Sequence, residues 1–349
     1  MNEFLRTEDI NQIIDSTKSE SNNFKNKKIA ISGAFGFIGK YILESLLLLN
    51  KDSFNIEIFA IDNFITSNKE IQNNYKDKGI NCINHDINKS LNLDTEFDYI
   101  ICLAGIASPY YYNKYPIETL DVSINGLKNM FKLKHNEKSK FIFFSSSEIY
   151  GDPPADKIPT NESFRGNVTS IGPRSCYDES KRVGETLCYI NSNYHNKKTA
   201  IIRPFNVYGP GMSLNDYRII PNITRSLIYG EKLKVYDTGN QTRTYCYVSD
   251  AITGFLKVIL KDELFGVYNI GNDTGEISVI DLVKTTEKTI DEKINYEITP
   301  YPSEYPPDEP RRRCPDLTNA RSNLNYSPII SLEDGLKKHL NWSKKTYKN

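Results

Sequence analysis

Gly33, Gly36 and Gly39 stand at GxxGxxG spacing between a short apolar run, Lys28 to Ser32, and a helical period, Phe37 to Asn50. No other feature of the chain narrows its possible folds so far. Glycines at this spacing allow a tight strand-to-helix turn, a close approach of backbone to pyrophosphate, and close packing of helix on strand. The helix then points its free N–H groups and positive end at the phosphates. The next apolar run, Ile56 to Ile61, ends in Asp62. A carboxylate there accepts hydrogen bonds from a ribose 2′-hydroxyl and repels a 2′-phosphate, which favours NAD over NADP. After a third strand, His85, Asp86 and Ile87 fall where such folds border the adenine.

Further strands are expected at Tyr99 to Leu103, Lys140 to Ser145 and Thr199 to Arg203, with helices over Pro116 to Leu133 and Ser180 to Asn193. Strands alternating with helices imply βαβ units. The expected fold is therefore α/β, a Rossmann-type doubly wound parallel sheet with a smaller C-terminal substrate-binding lobe. Beyond about Phe205 the rhythm loosens into turns at Gly209-Pro210-Gly211, Tyr301-Pro302 and Pro306-Pro307. The expected organisation is an N-terminal extension, 1–27, a Rossmann domain, 28–204, carrying the catalytic residues, and the lobe, 205–349, with segments able to return to the Rossmann domain. Ile10, Ile13 and Ile14 predict a short amphipathic helix in the extension, packed on the domain surface.

Charge narrows the partners. The chain has 44 Lys+Arg against 44 Asp+Glu, and that balance argues against nucleic acid or an anionic membrane, which normally require a basic excess. Apolar runs such as Tyr41 to Leu49 are far shorter than the roughly 20 residues that span a bilayer. The polar stretch Met1 to Lys28 does not resemble a secretory signal, so a cytoplasmic location is expected. Six scattered cysteines without a CxxC pair read as free thiols, and with four dispersed histidines no metal is expected.

A strand ends in Phe144-Ser145-Ser146-Ser147-Glu148-Ile149-Tyr150-Gly151, and farther on come Tyr177 and Lys181. Tyr-x-x-x-Lys on a helix puts both side chains on one face. The Lys181 ammonium then lowers the phenol pKa of Tyr177, which takes a proton from a sugar hydroxyl while NAD takes the hydride. A hydroxyl from the Ser146/Ser147 pair holds the same oxygen.

These segments together resemble the extended short-chain dehydrogenase/reductases that act on nucleotide sugars, the NAD-dependent epimerase/dehydratase family, and among them most of all the UDP-glucuronate decarboxylases (UDP-xylose synthases). The resemblance runs over roughly residues 28 to 342. It is carried by Ser32–Gly39, Ile61–Phe64, Ile83–Ile87, Ala107–Pro116, Ser145–Pro153, Arg203–Met212, Gly239–Ala251, Tyr268–Asn272, Asp308–Leu317 and, most specifically, Ile171–Cys188. It implies Tyr177 as base, Lys181 as its partner and a cofactor ribose ligand, Ser147 as the hydroxyl, and Glu148 close to sugar C5. The cofactor contacts implied are Gly33, Gly36, Phe37, Ile38, Gly39, Asp62, Asn63, Asp86, Ile87 and Ala104. It also implies a UDP-sugar as substrate and a homodimer built through a four-helix bundle, from the helices around Pro116 to Leu133 and Ser180 to Asn193.

Related 4,6-dehydratases carry Asp-Glu at the strand end and 4-epimerases generally lack the Glu, whereas Ser147-Glu148 matches the decarboxylases. The resemblance implies Arg243 near the nucleotide diphosphate and Arg313 near the sugar, and a guanidinium fork suits both tasks because it binds phosphate or carboxylate bidentately. Arg174, Asn206, Asn222 and Tyr236 are further substrate-side candidates, and Arg311 and Arg312 read as solvated charges. Glu118 and Asp121 stand where basic or neutral residues are usual, Gly211 where arginine is usual, and Tyr217 replaces a glycine. These departures keep alternatives open: 4-epimerisation, 4,6-dehydration or 4-oxidation of another NDP-hexose, or a non-catalytic NAD-binding protein.

Overall fold

The structure, a computed structural model, describes residues 5–301 and 310–347. The turns expected at Pro302 and at Pro306-Pro307 lie outside the described residues. Seven parallel strands form the central sheet, in the spatial order Phe265–Ile270, Lys198–Pro204, His135–Phe144, Phe97–Cys102, Lys28–Ser32, Glu57–Asp62 and Asn81–Asn84. This is the doubly wound α/β fold expected from the sequence. Its strands are apolar in continuous runs because helices cover both faces, and Ile29, Ile31, Ile100, Ile101, Ile142 and Ile202 are fully buried. The order reverses between Lys28–Ser32 and Phe97–Cys102, and a ligand crevice opens beyond the carboxyl ends of strands at such a switch point.

Phe265–Ile270, from the second half of the chain, extends the sheet beside Lys198–Pro204. The helix Val248–Leu260, buried along its whole length, lies against the same region. In the N-terminal segment, Thr7–Ser16 is helical and buries Ile10 and Ile13, with Ile14 partly covered. Asp9 in this helix is also buried and accepts from Tyr247 Oη at 2.8 Å.

Two helices differ from expectation. Pro116 to Leu133 is divided into Pro116–Asp121, a π turn at Val122–Gly126, and Leu127–Phe131. The extra residue of the π turn brings Gly126 against Ile87, where a Cβ would lie 2.8 Å from Ile87 Cδ1. The helix expected from Ser180 begins at Ser175 and runs to His195. Its earlier start puts Tyr177 in the first turn.

Candidate active site

The glycine loop forms one wall of a cleft of about 1310 Å³ at the carboxyl ends of the strands. Gly33 has φ +69°, and a Cβ there would lie 2.7 Å from the Ala104 backbone. Gly39 lies so close to the loop that a Cβ would be 2.4 Å from Ala34 O. Gly36 caps the helix Phe37–Lys51 and faces the cleft, with the N–H groups of Phe37 and Ile38 behind it. Asp62 is held at the end of its strand by three bonds: Phe35 N donates to Oδ2 at 3.0 Å, while Phe64 N at 2.8 Å and Ser67 Oγ at 3.0 Å donate to Oδ1. Asn63, Asp86, Ile87 and Ala104 line the same cleft. A backbone cradle with no room for side chains, an open helix N-terminus and a fixed carboxylate fit a dinucleotide with a free ribose 2′-hydroxyl.

Tyr177 and Lys181 follow one turn apart on the helix Ser175–His195, and both are buried. Lys181 Nζ donates to Phe144 O at 2.9 Å and lies 5.7 Å from the Tyr177 ring centre. Burial pushes the Lys181 amine down to about 8. Burial also raises the Tyr177 phenol, opposed by a hydrogen bond with Ser146 and by the Arg218 and Arg174 cations. The net shift is upward, because desolvation outweighs the nearby charges. The hydroxyl that bears on Tyr177 in the structure belongs to Ser146, and Ser147, the hydroxyl that the resemblance implies, stands next to it on the same cleft. Ser146 is still extended, with φ −158° and ψ 156°, while Ser147 begins the 3-10 turn Ser147–Tyr150. Both serines line the cleft, and Tyr112 stacks on Tyr177 with ring centres 5.5 Å apart.

Glu148 is gripped by Arg174 on one oxygen and by Arg313 on the other. Arg174 also approaches Asp178 at 3.6 Å. Burial pushes the Arg313 guanidinium down to about 9, still cationic at neutral pH. Arg313 is delivered by a two-residue strand that pairs with Thr242–Arg243. Arg243 donates to Thr242 O at 2.8 Å and to Pro310 O at 2.6 Å. Arg174, Arg243 and Arg313 all line the cleft.

Asn206, Asn222 and Tyr236 line it as well: the Asn206 amide donates to Thr244 O and the Asn222 amide to Tyr217 O, both at 2.9 Å, while Tyr236 stacks on Tyr301. Glu118 and Gly211 are on the cleft wall, whereas Asp121 is not and accepts from Asn125 instead. Arg311 and Arg312 are exposed, with Arg312 paired to Glu276 at 2.6 Å. Sequence reasoning passed over Arg218. It lines the cleft, forks onto Asp216 at 2.5 and 2.7 Å, and bears on the Tyr177 phenol. The Asp216-Tyr217-Arg218 segment was its visible signal. Among the described residues no group of three or more His, Cys, Asp or Glu is arranged to hold a metal ion.

Residues 29–271 match the NAD dependent epimerase/dehydratase family. The chain is 37% identical over 312 residues to UDP-glucuronic acid decarboxylase 5 of Arabidopsis thaliana, covering 89% of this chain and 87% of that protein. It is 33% identical over 317 residues to UDP-glucuronic acid decarboxylase 1 of Danio rerio, covering 90% and 72%. Among solved structures it resembles UDP-glucuronic acid 4-epimerase from Bacillus cereus in complex with UDP-glucuronic acid and NAD, with a TM-score of 0.75, 25% identity, and coverage of 92% and 100%.

Proposed function

The chain belongs to the NAD dependent epimerase/dehydratase family, and from that premise we propose that it is an NAD-dependent nucleotide-sugar decarboxylase, converting UDP-glucuronate to UDP-xylose or to the UDP-4-keto-pentose. The observation that carries this reading is Glu148, held between Arg174 and Arg313 in the cleft that also contains the Ser146–Tyr177 pair. When bound, NAD would supply the hydride acceptor for sugar C4 and, once reduced, the hydride donor that closes the cycle.

The residues of the chain do the rest. Tyr177, as phenolate, removes the proton of the C4 hydroxyl, and Ser146 holds the same oxygen. With C4 a ketone the sugar is a β-keto acid, so the C5–carboxylate bond breaks, CO2 leaves, and its electron pair passes into the enolate. The protonated Tyr177 and Ser146 stabilise the enolate oxygen. Glu148 relays to C5 the proton that it gains, taken up from solvent as the enolate collapses. Arg174 and Arg313 fix Glu148, and Arg243 and Arg313 supply cations for diphosphate and sugar carboxylate. Glu118 favours a second reading, a 4-epimerase, 4,6-dehydratase or 4-oxidase, because its carboxylate on the cleft wall repels that of a uronic acid.

Incubation with UDP-glucuronate tests the choice. Release of CO2 and a product lighter by that mass are expected; intact UDP-glucuronate in NAD-replete protein, with loss of water, loss of two hydrogens or epimerisation of another NDP-hexose, overturns it. Replacing Tyr177 with Phe is expected to abolish turnover while NAD stays bound. A homodimer belongs to the same proposal, supported by Ile117 and Tyr194, 65% and 71% exposed on the two helices assigned to the four-helix bundle. So does a cytoplasmic location, in line with six unpaired cysteines; no described helix is long and apolar enough to cross a membrane.

A further inference from the structure

Lys40 follows Gly39 directly, at the end of the first turn of the helix Phe37–Lys51, and its side chain lines the cleft. Its ammonium donates to Gly211 O at 3.3 Å. Among the described residues no carboxylate forms an ion pair with it, and burial pushes the amine down to about 8. That is the behaviour of a cation taken out of water with no anion to offset the loss. Its position adds a second cost, because a positive charge near a helix N-terminus opposes the macrodipole. Both costs vanish if an anion sits at that end of the helix. The next residue, Tyr41, is fully buried and donates to Pro210 O at 3.1 Å. Two consecutive residues of this helix therefore hold two consecutive carbonyls of the loop that enters the cleft from the second half of the chain.

We propose that Lys40 is a cofactor-binding residue whose ammonium bridges the dinucleotide pyrophosphate and the Gly211 carbonyl, coupling cofactor binding to the position of the Pro210–Met212 loop. The inference rests on the reading of the cleft as an NAD site. An ammonium has three N–H donors and Gly211 takes one, which leaves donors for phosphate oxygens. Bonds of this kind are charge-assisted, and a wall shielded from solvent strengthens them. An ammonium that donates to both the carbonyl and a phosphate oxygen would draw the loop toward the cofactor as the cofactor is drawn in.

The test measures NAD retained per chain after extensive dialysis, and the Kd on titrating NAD back, for wild type, K40M, K40Q, K40R and Y41F, each checked for folding by its melting curve. UDP affinity is measured alongside. K40M and K40Q are expected to weaken NAD about ten- to a hundredfold, as loss of a charge-assisted contact does. K40R is expected to restore most of the affinity, Y41F to leave NAD binding near wild type, and UDP affinity to stay unchanged in all. Unchanged NAD affinity in K40Q overturns the proposal, as does loss of UDP affinity in place of NAD, which would give the cation to the nucleotide-sugar diphosphate. Equal loss in Y41F also overturns it, reducing Lys40 to a loop strap. A wild-type chain that binds no NAD at all brings down the NAD reading itself.

Discussion

Glu148 and Arg313, 165 positions apart in the chain, form an ion pair inside the cleft, and Arg174 holds the other oxygen of the same carboxylate. The guanidinium side chains are only 4% and 6% exposed. Removing one partner of such a buried set leaves an uncompensated charge, at a cost of about 3–5 kcal/mol. R313M is therefore expected to lower both the melting temperature and kcat. E148Q keeps the shape of the side chain but leaves the two cations without the carboxylate they share, so it too is expected to melt below wild type; assayed below its melting point, it is expected to lose about a hundredfold in CO2 release, the range typical of a positioned proton-transfer group. Wild-type turnover in E148Q would remove Glu148 from the chemistry.

The two serines are separable by kinetics. Ser146 bonds to Tyr177 and also accepts from Glu148 N at 3.2 Å. S146A is expected to lower kcat about ten- to a hundredfold, the equivalent of one lost hydrogen bond to a charged oxygen. S147A is expected to change kcat by less than about threefold, because its hydroxyl does not meet the phenol. Steady-state kinetics on both variants decides it; the reverse ranking would return the role to Ser147.

Much of this site was legible in the sequence because its signals are local. The loop Gly33 to Gly39 and the Tyr177–Lys181 pair each lie within seven residues, and buried parallel strands read as apolar runs. Signals failed where one residue of register decides the outcome. Among Ser145, Ser146 and Ser147, the choice depends on where extended backbone gives way to the 3-10 turn, and three identical residues do not mark that point. The π turn at Val122–Gly126 is likewise a one-residue insertion that a helical period absorbs. The pairing of Arg312–Arg313 with Thr242–Arg243 escapes for another reason. Two-residue strands have no period to read, and their partners are about seventy positions apart. Glu118 and Asp121 looked equivalent in sequence, yet Glu118 lines the cleft while Asp121 does not and accepts from Asn125.

Asp62 is expected to set the choice of dinucleotide. Its three bonds fix the carboxylate on the cleft wall, where a 2′-phosphate would meet a like charge. Wild type is expected to bind NAD at least about a hundredfold more tightly than NADP, and D62N to narrow that ratio about tenfold or more. Titration calorimetry with both dinucleotides checks this. Equal affinities in wild type would mean that the carboxylate does not face the ribose.

His339 predicts how stability depends on pH. It lies in the helix Leu332–Tyr347, is 1% exposed, and has Nε2 3.0 Å from Thr224 Oγ1. Burial lowers its imidazole from 6.5 to about 4. The folded-state pKa is depressed, so below pH 6.5 the unfolded chain binds a proton that the fold still refuses. The contribution to stability is fully present above 6.5 and is lost as pH falls toward 4. Between pH 7.5 and 5 this group alone removes about 2 kcal/mol. Buried Asp9 and Asp250, raised by desolvation, act in the opposite direction as pH falls. A single pH series on wild type therefore mixes the effects. The informative quantity is the difference between wild type and H339Q, in which the carboxylate contributions cancel as long as the sites do not interact. Urea unfolding at the two pH values is expected to show wild type losing about 2 kcal/mol more than H339Q. Equal losses would show that the imidazole takes up its proton in the folded state at an ordinary pH, and that the packing around Thr224 and His339 opens to water.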